Sequence, residues 1–234
     1  MTPSPTVLIT GATKGIGRAI AERFAPECKV LHLVSRQASD LLKLNDVLSR
    51  SGLEIHVHEV DLSEAIQVQQ LVTDVLQISP NIDVLINNAG VYLPGSLLDE
   101  SSGNLDYMIR LNVLSHYELT KGLVSALKGK GHVFHMASVA SRKMFVNKPS
   151  YSISKHAQLA LTDAFRHELR PLGIRVTTVM PGPTWSASWE NVDFPEERLL
   201  DPRHIADLMW HAWNLPQEVD LEELVIRPRE GDID

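Results

Sequence analysis

The chain has 234 residues, of which 44% are hydrophobic and 22% charged, and its formal net charge is -7. That length suits one α/β domain spanning 1–234, and the composition is that of an ordinary soluble globular chain. The mild acidity argues against a broad nucleic-acid surface, and the lone cysteine, Cys28, excludes an internal disulfide and a cysteine-based zinc site.

Read in chain order, MTPSPTVLIT carries no charged leader region, and no apolar run approaches the roughly 18 residues of a membrane span. A cytoplasmic protein with no membrane association and no metal site is therefore expected. TVLIT at 6–10 reads as a buried strand, followed by the glycine-rich turn TGATKGIG at 10–17 and a helix from Ile16 to about Phe24. KVLHLVS (29–35) reads as a strand. DLLKLNDVLSR (40–50) reads as a helix with Leu41, Leu44, Val47 and Leu48 on one face. EIHVHEV (54–60) alternates as a strand, and the helix at 64–78 is expected to turn Ile66, Leu71, Val75 and Ile78 to the core. Strands at 82–87, 132–138, 174–180 and 222–227 then flank one long helix at 105–127 and a second at 151–170, which Pro171 and Gly173 stop. Such alternation predicts a single-domain α/β fold, a Rossmann-type doubly wound parallel sheet of about seven strands with helices on both faces. The stretch 181–200, PGPTWSASWENVDFPEERLL, lacks periodicity and follows a strand end, where open α/β sheets bind ligands. It is expected to cover a ligand.

The glycine turn lies between a strand and a helix, the context in which such a loop cradles a pyrophosphate. Gly11 permits the tight turn, Gly15 and Gly17 permit close backbone approach, and the helix N-terminus offers free N–H groups. The spacing is G-x-x-x-G-x-G and not G-x-G-x-x-G. Ser35 and Arg36 follow the second strand, where an NAD site carries an acid that bonds the ribose. A hydroxyl plus a guanidinium suits a 2′-phosphate, with Lys14 as a second positive charge, so NADP(H) is expected over NAD(H). The alternative is that both cations are solvated surface charges. Asp61 in EVDLSE either bonds an adenine amino group or caps the next helix with Glu64, in competition with Ser63. NNAG at 87–90 holds poor strand formers at a strand end. They either line a cofactor and bond neighbouring backbone or form an ordinary turn.

In YSISK, Tyr151 and Lys155 lie four apart and share a helix face. The pair alone proves little. It occurs in order with TGATKGIG, Asp61–Leu62, NNAG, Asn112 in RLNVLS, Ser138 in MASVAS and Pro181–Gly182. With that ordered set the chain resembles the short-chain dehydrogenase/reductase family over nearly its whole length. The resemblance implies hydride transfer between NADP(H) and a small carbonyl or alcohol, with Asn112, Ser138, Tyr151 and Lys155 as catalytic tetrad. It implies cofactor contacts at Gly11, Thr13, Lys14, Gly15, Ile16, Gly17, Ser35, Arg36, Asp61, Leu62, Asn88, Ala89, Gly90, Tyr151, Lys155, Pro181, Gly182 and Thr184. Tyr151 would act as acid or base, its pKa lowered by the charge of Lys155, which also bonds the nicotinamide ribose. Ser138 would hold the substrate oxygen, and Asn112 would anchor a water that passes protons to Lys155. Taken singly, Asn112 also reads as a backbone-satisfied helix residue and Ser138 as a ligand-free strand end.

Trp185, Trp189 and Phe194 offer flat apolar contacts suited to a ring or an apolar chain, or else pack the loop onto the domain. Tyr92, Met144 and Phe145 are further candidates for the pocket wall, giving Ser138, Tyr92, Phe145, Trp185 and Trp189 as substrate residues. No cluster of Arg or Lys in these stretches suggests a phosphorylated or CoA-type substrate. LVIRPREGDID together with PGPTWSASW is similar to the sepiapterin-reductase-like branch, which implies a pteridine or other diketone substrate. A 3-oxoacyl-type reductase is the alternative within the class. From another class, a non-catalytic NADP(H)-sensing binding protein has no need of Ser138, Tyr151 and Lys155 together. The resemblance also implies pairing of helices near 103–128 and 151–172. With Leu159, Leu161, Ala164 and Phe165 as apolar surface, a homodimer or homotetramer is expected.

Overall fold

The computed structural model describes residues 4–127, 129–186, 195 and 198–232. TVLIT forms β1 (Thr6–Thr10), with Val7, Leu8 and Ile9 wholly buried. Successive strand residues point to opposite faces, so Val7 and Ile9 enter one core and Leu8 the other. A strand covered on both sides is apolar throughout and does not alternate. The chain continues through α1 (Gly15–Phe24), β2 (Val30–Ser35), α2 (Ala38–Leu48), β3 (Glu54–Glu59), α3 (Ala65–Ile78) and β4 (Val84–Asn87). Next come α4 (Asn104–Ile109), a π-helical turn (Arg110–Leu114), α5 (Ser115–Leu127), β5 (His132–Met136) and α6 (Pro149–Leu169). β6 (Arg175–Pro181), α7 (Pro202–Trp213) and β7 (Glu223–Ile226) complete the order.

The seven strands form one sheet in the order β3-β2-β1-β4-β5-β6-β7, every pair parallel. This is the doubly wound sheet expected from the alternation. Phe24, Leu41 and Met209 of α1, α2 and α7 pack on one face, and Leu71, Leu123 and Phe165 of α3, α5 and α6 on the other. The strand order reverses between β1 and β4, which opens a cleft at their carboxyl ends. Arg166 fastens α6 to the sheet edge, donating to the carbonyls of Val176 (3.2 Å) and Glu222 (2.9 Å) and to Thr178 Oγ1 (2.8 Å). Cys28 is buried and burial pushes its thiol up to about 12, in keeping with a packing role. Among the described residues no helix is long and apolar enough to cross a membrane.

Several expectations are corrected. Ile66 and Ile78 are exposed, and Val68, Leu71 and Val75 make the buried stripe of α3. Ile66 lies five residues before Leu71, about 140° round the helix, and Ile78 is its last residue. Val47 is likewise exposed, one step round from the Leu41–Leu44–Leu48 face. Phe165 is buried under Tyr117, with stacked rings at 6.1 Å, and does not contribute to an outer apolar face. The long helix at 105–127 is interrupted by the π turn, which widens the backbone at Asn112. No element is expected at 202–213, yet α7 forms there. Asp201 accepts from the Arg203 N–H (2.8 Å), Pro202 takes the first turn, and Ile205, Met209 and Ala212 supply the buried stripe.

Candidate active site

The ends of β1 and β4 are bonded together across the cleft. Thr10 Oγ1 accepts from the N–H groups of Asn88 (2.9 Å) and Ala89 (3.0 Å), and the Asn88 amide donates to the carbonyls of Thr10 (2.9 Å) and Gly11 (3.2 Å). Asn88 of NNAG therefore bonds neighbouring backbone. Gly11 turns the chain at φ +64°, a conformation that favours glycine, and α1 starts at Gly15 with no side chain capping that end. The first turn of a helix so presented is suited to an anion.

One cavity of about 1170 Å³ runs along these strand ends. Of the expected cofactor residues, Gly11, Thr13, Lys14, Gly15, Ile16, Gly17, Ser35, Arg36, Leu62, Asn88, Ala89, Gly90, Tyr151, Lys155, Pro181, Gly182 and Thr184 all line it. At its outer end Thr13 and Ser35 hydroxyls meet at 3.1 Å, Arg36 donates to Tyr107 Oη (2.8 Å), and Lys14 pairs with Asp40 (3.3 Å). Asp61 sits between Val60 and Leu62, which line the cavity, and one oxygen of its carboxylate accepts from the N–H (2.9 Å) and hydroxyl (2.7 Å) of Ser63, closing a local turn before α3.

Ser138, Tyr151 and Lys155 line the inner end of the same cavity. Ser138 begins a short 3₁₀ turn (Val139–Ser141), accepting from the Ala140 N–H at 3.1 Å while its own N–H donates to Ser141 Oγ at 3.3 Å. Tyr151 makes a hydrogen bond with Ser138 that favours its phenolate, yet burial outweighs it and raises the phenol above its ordinary value. Lys155 Nζ lies 5.7 Å from the centre of the Tyr151 ring and donates to the carbonyl of Met136 (3.0 Å) and to Gln158 Oε1 (2.8 Å). Burial pulls the lysine down to about 7. The expected lowering of Tyr151 by Lys155 is thus not the dominant influence in the protein alone: loss of water disfavours both charged forms. Asn112 is wholly buried behind the cavity wall. Its side chain accepts from the Val91 N–H (2.8 Å) and donates to the Val91 carbonyl (3.0 Å) and to Ser154 Oγ (3.0 Å). The two serines of YSISK are scaffold: Ser154 holds Asn112, and Ser152 Oγ accepts from the Phe145 N–H (3.3 Å).

Tyr92, Phe145 and Trp185 also line the cavity, and Tyr92 meets Tyr151 edge-on at 5.3 Å. Trp189 and Phe194 lie outside the described residues. Lys148 lines the mouth with its ammonium 4.7 Å from the centre of the Phe145 ring, a cation the sequence reading of this region did not include. Pro183 to Leu200 is tied at its base: Trp185 N–H donates to the Leu200 carbonyl (2.9 Å) and Leu200 N–H to that of Pro183 (2.8 Å).

The model of the short chain dehydrogenase family matches residues 5–196. The chain belongs to that family. It is 35% identical to sepiapterin reductase of Chlorobaculum tepidum over 97% of each chain. It is 34% identical to a ketoacyl reductase of Nostoc over 76% of this chain and 62% of that one. In structure it is similar to an alcohol dehydrogenase of the archaeon Thermococcus sibiricus complexed with 5-hydroxy-NADP. That likeness has a TM-score of 0.90 at 28% identity and covers 99% of both chains. As a short-chain dehydrogenase the protein is an oxidoreductase acting on CH–OH groups.

Sequence reasoning missed several lining or supporting residues of this short-chain dehydrogenase. Asp40 and Asp232 line the cavity, Asp232 held by Arg227 at 3.1 Å. Gln158 and His116 stand behind Lys155, with Gln158 Nε2 2.7 Å from His116 Nδ1. The three-residue step from Lys155 to Gln158 on one helix was the only local signal for this pair.

Proposed function

We propose that the protein is an NADP(H)-dependent reductase of small carbonyl compounds, running in reverse as an alcohol dehydrogenase. The observation that carries this reading is the single cavity in which the glycine turn and the Ser35–Arg36 end are continuous with Ser138, Tyr151 and Lys155. The residues fit such a cofactor. The uncapped start of α1 suits its pyrophosphate, Arg36 and Lys14 suit a 2′-phosphate, and Lys155 uses two of its three N–H groups on protein acceptors, leaving one for a ribose hydroxyl. NAD(H) is the weaker fit, because no acid occupies position 35 or 36.

Bound NADPH supplies the hydride. Ser138 and Tyr151 hold the substrate oxygen between their hydroxyls, and Tyr151 gives it the proton as negative charge develops. The Lys155 ammonium stabilises the phenolate left behind. Asn112 fixes the Val91 backbone and Ser154, so it acts on the geometry of this wall. The substrate is proposed to be a pteridine or another small diketone. Tyr92, Phe145 and Trp185 line the cavity beside Tyr151, Asp232 offers an acceptor for ring N–H groups, and the relative from C. tepidum is a sepiapterin reductase. Residues 181–200 are proposed to cover this end of a single domain spanning 1–234.

Replacement of Tyr151 by Phe tests the reading. Turnover of NADPH with a panel of diketones, quinones and pterins should fall at least a hundredfold, a typical acid–base contribution, while NADPH binding is kept. Retained turnover refutes the assignment, and a wild-type protein inert to the whole panel favours a cofactor-sensing binding protein. We further propose a cytoplasmic homodimer or homotetramer. The exposed Leu114, Tyr117 and Ala164 of the α5 and α6 region support assembly, and a monomer in light scattering at micromolar concentration refutes it.

A further inference from the structure

Behind Lys155 runs a buried chain of hydrogen bonds that the tetrad does not include. Lys155 Nζ donates to Gln158 Oε1 (2.8 Å), Gln158 Nε2 meets His116 Nδ1 (2.7 Å), and His116 Nε2 meets the carbonyl of Ala89 (2.8 Å). Gln158 Nε2 also reaches the Met136 carbonyl at 3.2 Å. Gln158 is 0% and His116 1% exposed, so none of these groups can turn to water instead.

The chemistry of the two ends fixes the direction of every link. An ammonium has only hydrogens to give, so Gln158 must face it with oxygen. A carbonyl has only lone pairs, so His116 must carry its proton on Nε2 and accept at Nδ1 from the Gln158 NH₂. Burial, and then the charge of Lys155, draw His116 down to about 3, which keeps it neutral and its Nδ1 free to accept. The result joins the ammonium to the carbonyl of Ala89, a residue of the cavity wall at the end of β4. The amide points the negative end of its dipole at Nζ, which favours the charged lysine against the burial that disfavours it.

We propose that Gln158 and His116 are positioning residues for the reaction, holding the Lys155 ammonium in place and in its charged form through this oriented chain. The proposal rests on the reading that Lys155 assists Tyr151. The charged and titratable groups facing the chain are Tyr151 from the same helix, His135 of β5 at 5.6 Å from the His116 ring, and Arg166 beyond His135. None of these supplies a negative charge to hold the ammonium at neutral pH, so the work falls to the neutral acceptors, Gln158 Oε1 and the Met136 carbonyl.

The test is the pH profile of kcat/KM for NADPH-dependent reduction of 2,3-butanedione by wild type, Q158M, Q158E, H116N and H116F, with NADPH affinity measured by fluorescence. Q158M removes the acceptor and should lower kcat/KM at pH 7 roughly tenfold and move the alkaline limb down by about one pH unit. Q158E places a carboxylate beside Nζ and should move that limb up. H116N, which can offer Oδ1 to the Gln158 amide, should stay closer to wild type than H116F. Opposite shifts of the limb in Q158M and Q158E are a signature that mere packing does not give. A limb unmoved in both variants, with or without a fall in kcat, overturns the proposal. If Q158M fails to fold, Q158E against wild type decides on the same criterion. Tyr151→Phe is run alongside: retained turnover there refutes the tetrad reading itself, whatever Gln158 does.

Discussion

Gly17 lies so close beneath Gly11 that a side-chain carbon on it would sit 2.1 Å from the Gly11 carbonyl oxygen and 2.5 Å from the Asn88 amide nitrogen. Neither neighbour can yield, because Asn88 ties β4 to β1 through Thr10 and Gly11. Gly17→Ala is therefore expected to push α1 off the sheet end, costing about 1–3 kcal/mol and weakening NADPH binding at least tenfold. Urea denaturation and a fluorescence titration with NADPH check both.

Arg36 donates to Tyr107 from the cavity rim, beside the Thr13–Ser35 pair. Its replacement by Leu should lower kcat/KM for NADPH roughly tenfold to a hundredfold, the worth of a charge-assisted hydrogen bond, and leave NADH within about twofold. Steady-state rates with each cofactor decide. Lys14 should matter less, since Asp40 already pairs with it at 3.3 Å.

Asn112 bonds both backbone groups of Val91 and the hydroxyl of Ser154 from a wholly buried position. Asn112→Ala leaves those groups without partners in the interior and should cost about 2–4 kcal/mol. Turnover should fall in the same variant because the wall between β4 and α6 loses its tie. A stable, fully active variant would contradict this.

The fold should lose stability in acid. His32 and His116 are drawn down to about 3 by burial, and His58, His132 and His135 are also lowered, burial again the first cause. In the unfolded chain these groups titrate near 6.5. Between that value and about 3 the unfolded chain binds more protons than the folded one, so stability rises with pH across this window. The contribution is complete above about 6.5 and is lost as pH falls toward 3. His32 and His116 each add up to about 1.4 kcal/mol per pH unit there. Urea midpoints measured from pH 7 to pH 4 should fall steadily, and a flat profile would refute the argument.

The sheet was legible because strands buried on both faces read as short apolar runs and their helices carry a separate period. The helix–core assignment failed at Ile66 and Val47, where an apolar residue lies beside the stripe and the neighbouring polar positions do not reveal the offset. At the site, glycines, Ser35, Arg36, Ser138, Tyr151 and Lys155 announced themselves through order along the chain. Asp61 was ambiguous, because a carboxylate two residues before Ser63 can close a local turn and still face a ligand. Gln158 and His116 were hidden for a different reason: 42 residues separate them, and their meeting depends on how α5 and α6 cross. The pKa of Tyr151 was hidden too, because burial enters only with the three-dimensional structure.

The paired backbone bonds of Pro183, Trp185 and Leu200 have a use beyond describing where a segment starts and ends. They hold the two ends, Pro183–Trp185 and Leu200, against each other. A graft from a relative needs to match two strand-like ends already held together, and extra length costs little, with each doubling adding only about 0.6 kcal/mol of closure entropy. A graft spliced at those three residues is expected to leave the glycine turn and the tetrad wall intact, and rates of the chimaera on several carbonyl compounds measure what the exchanged stretch contributes to substrate choice.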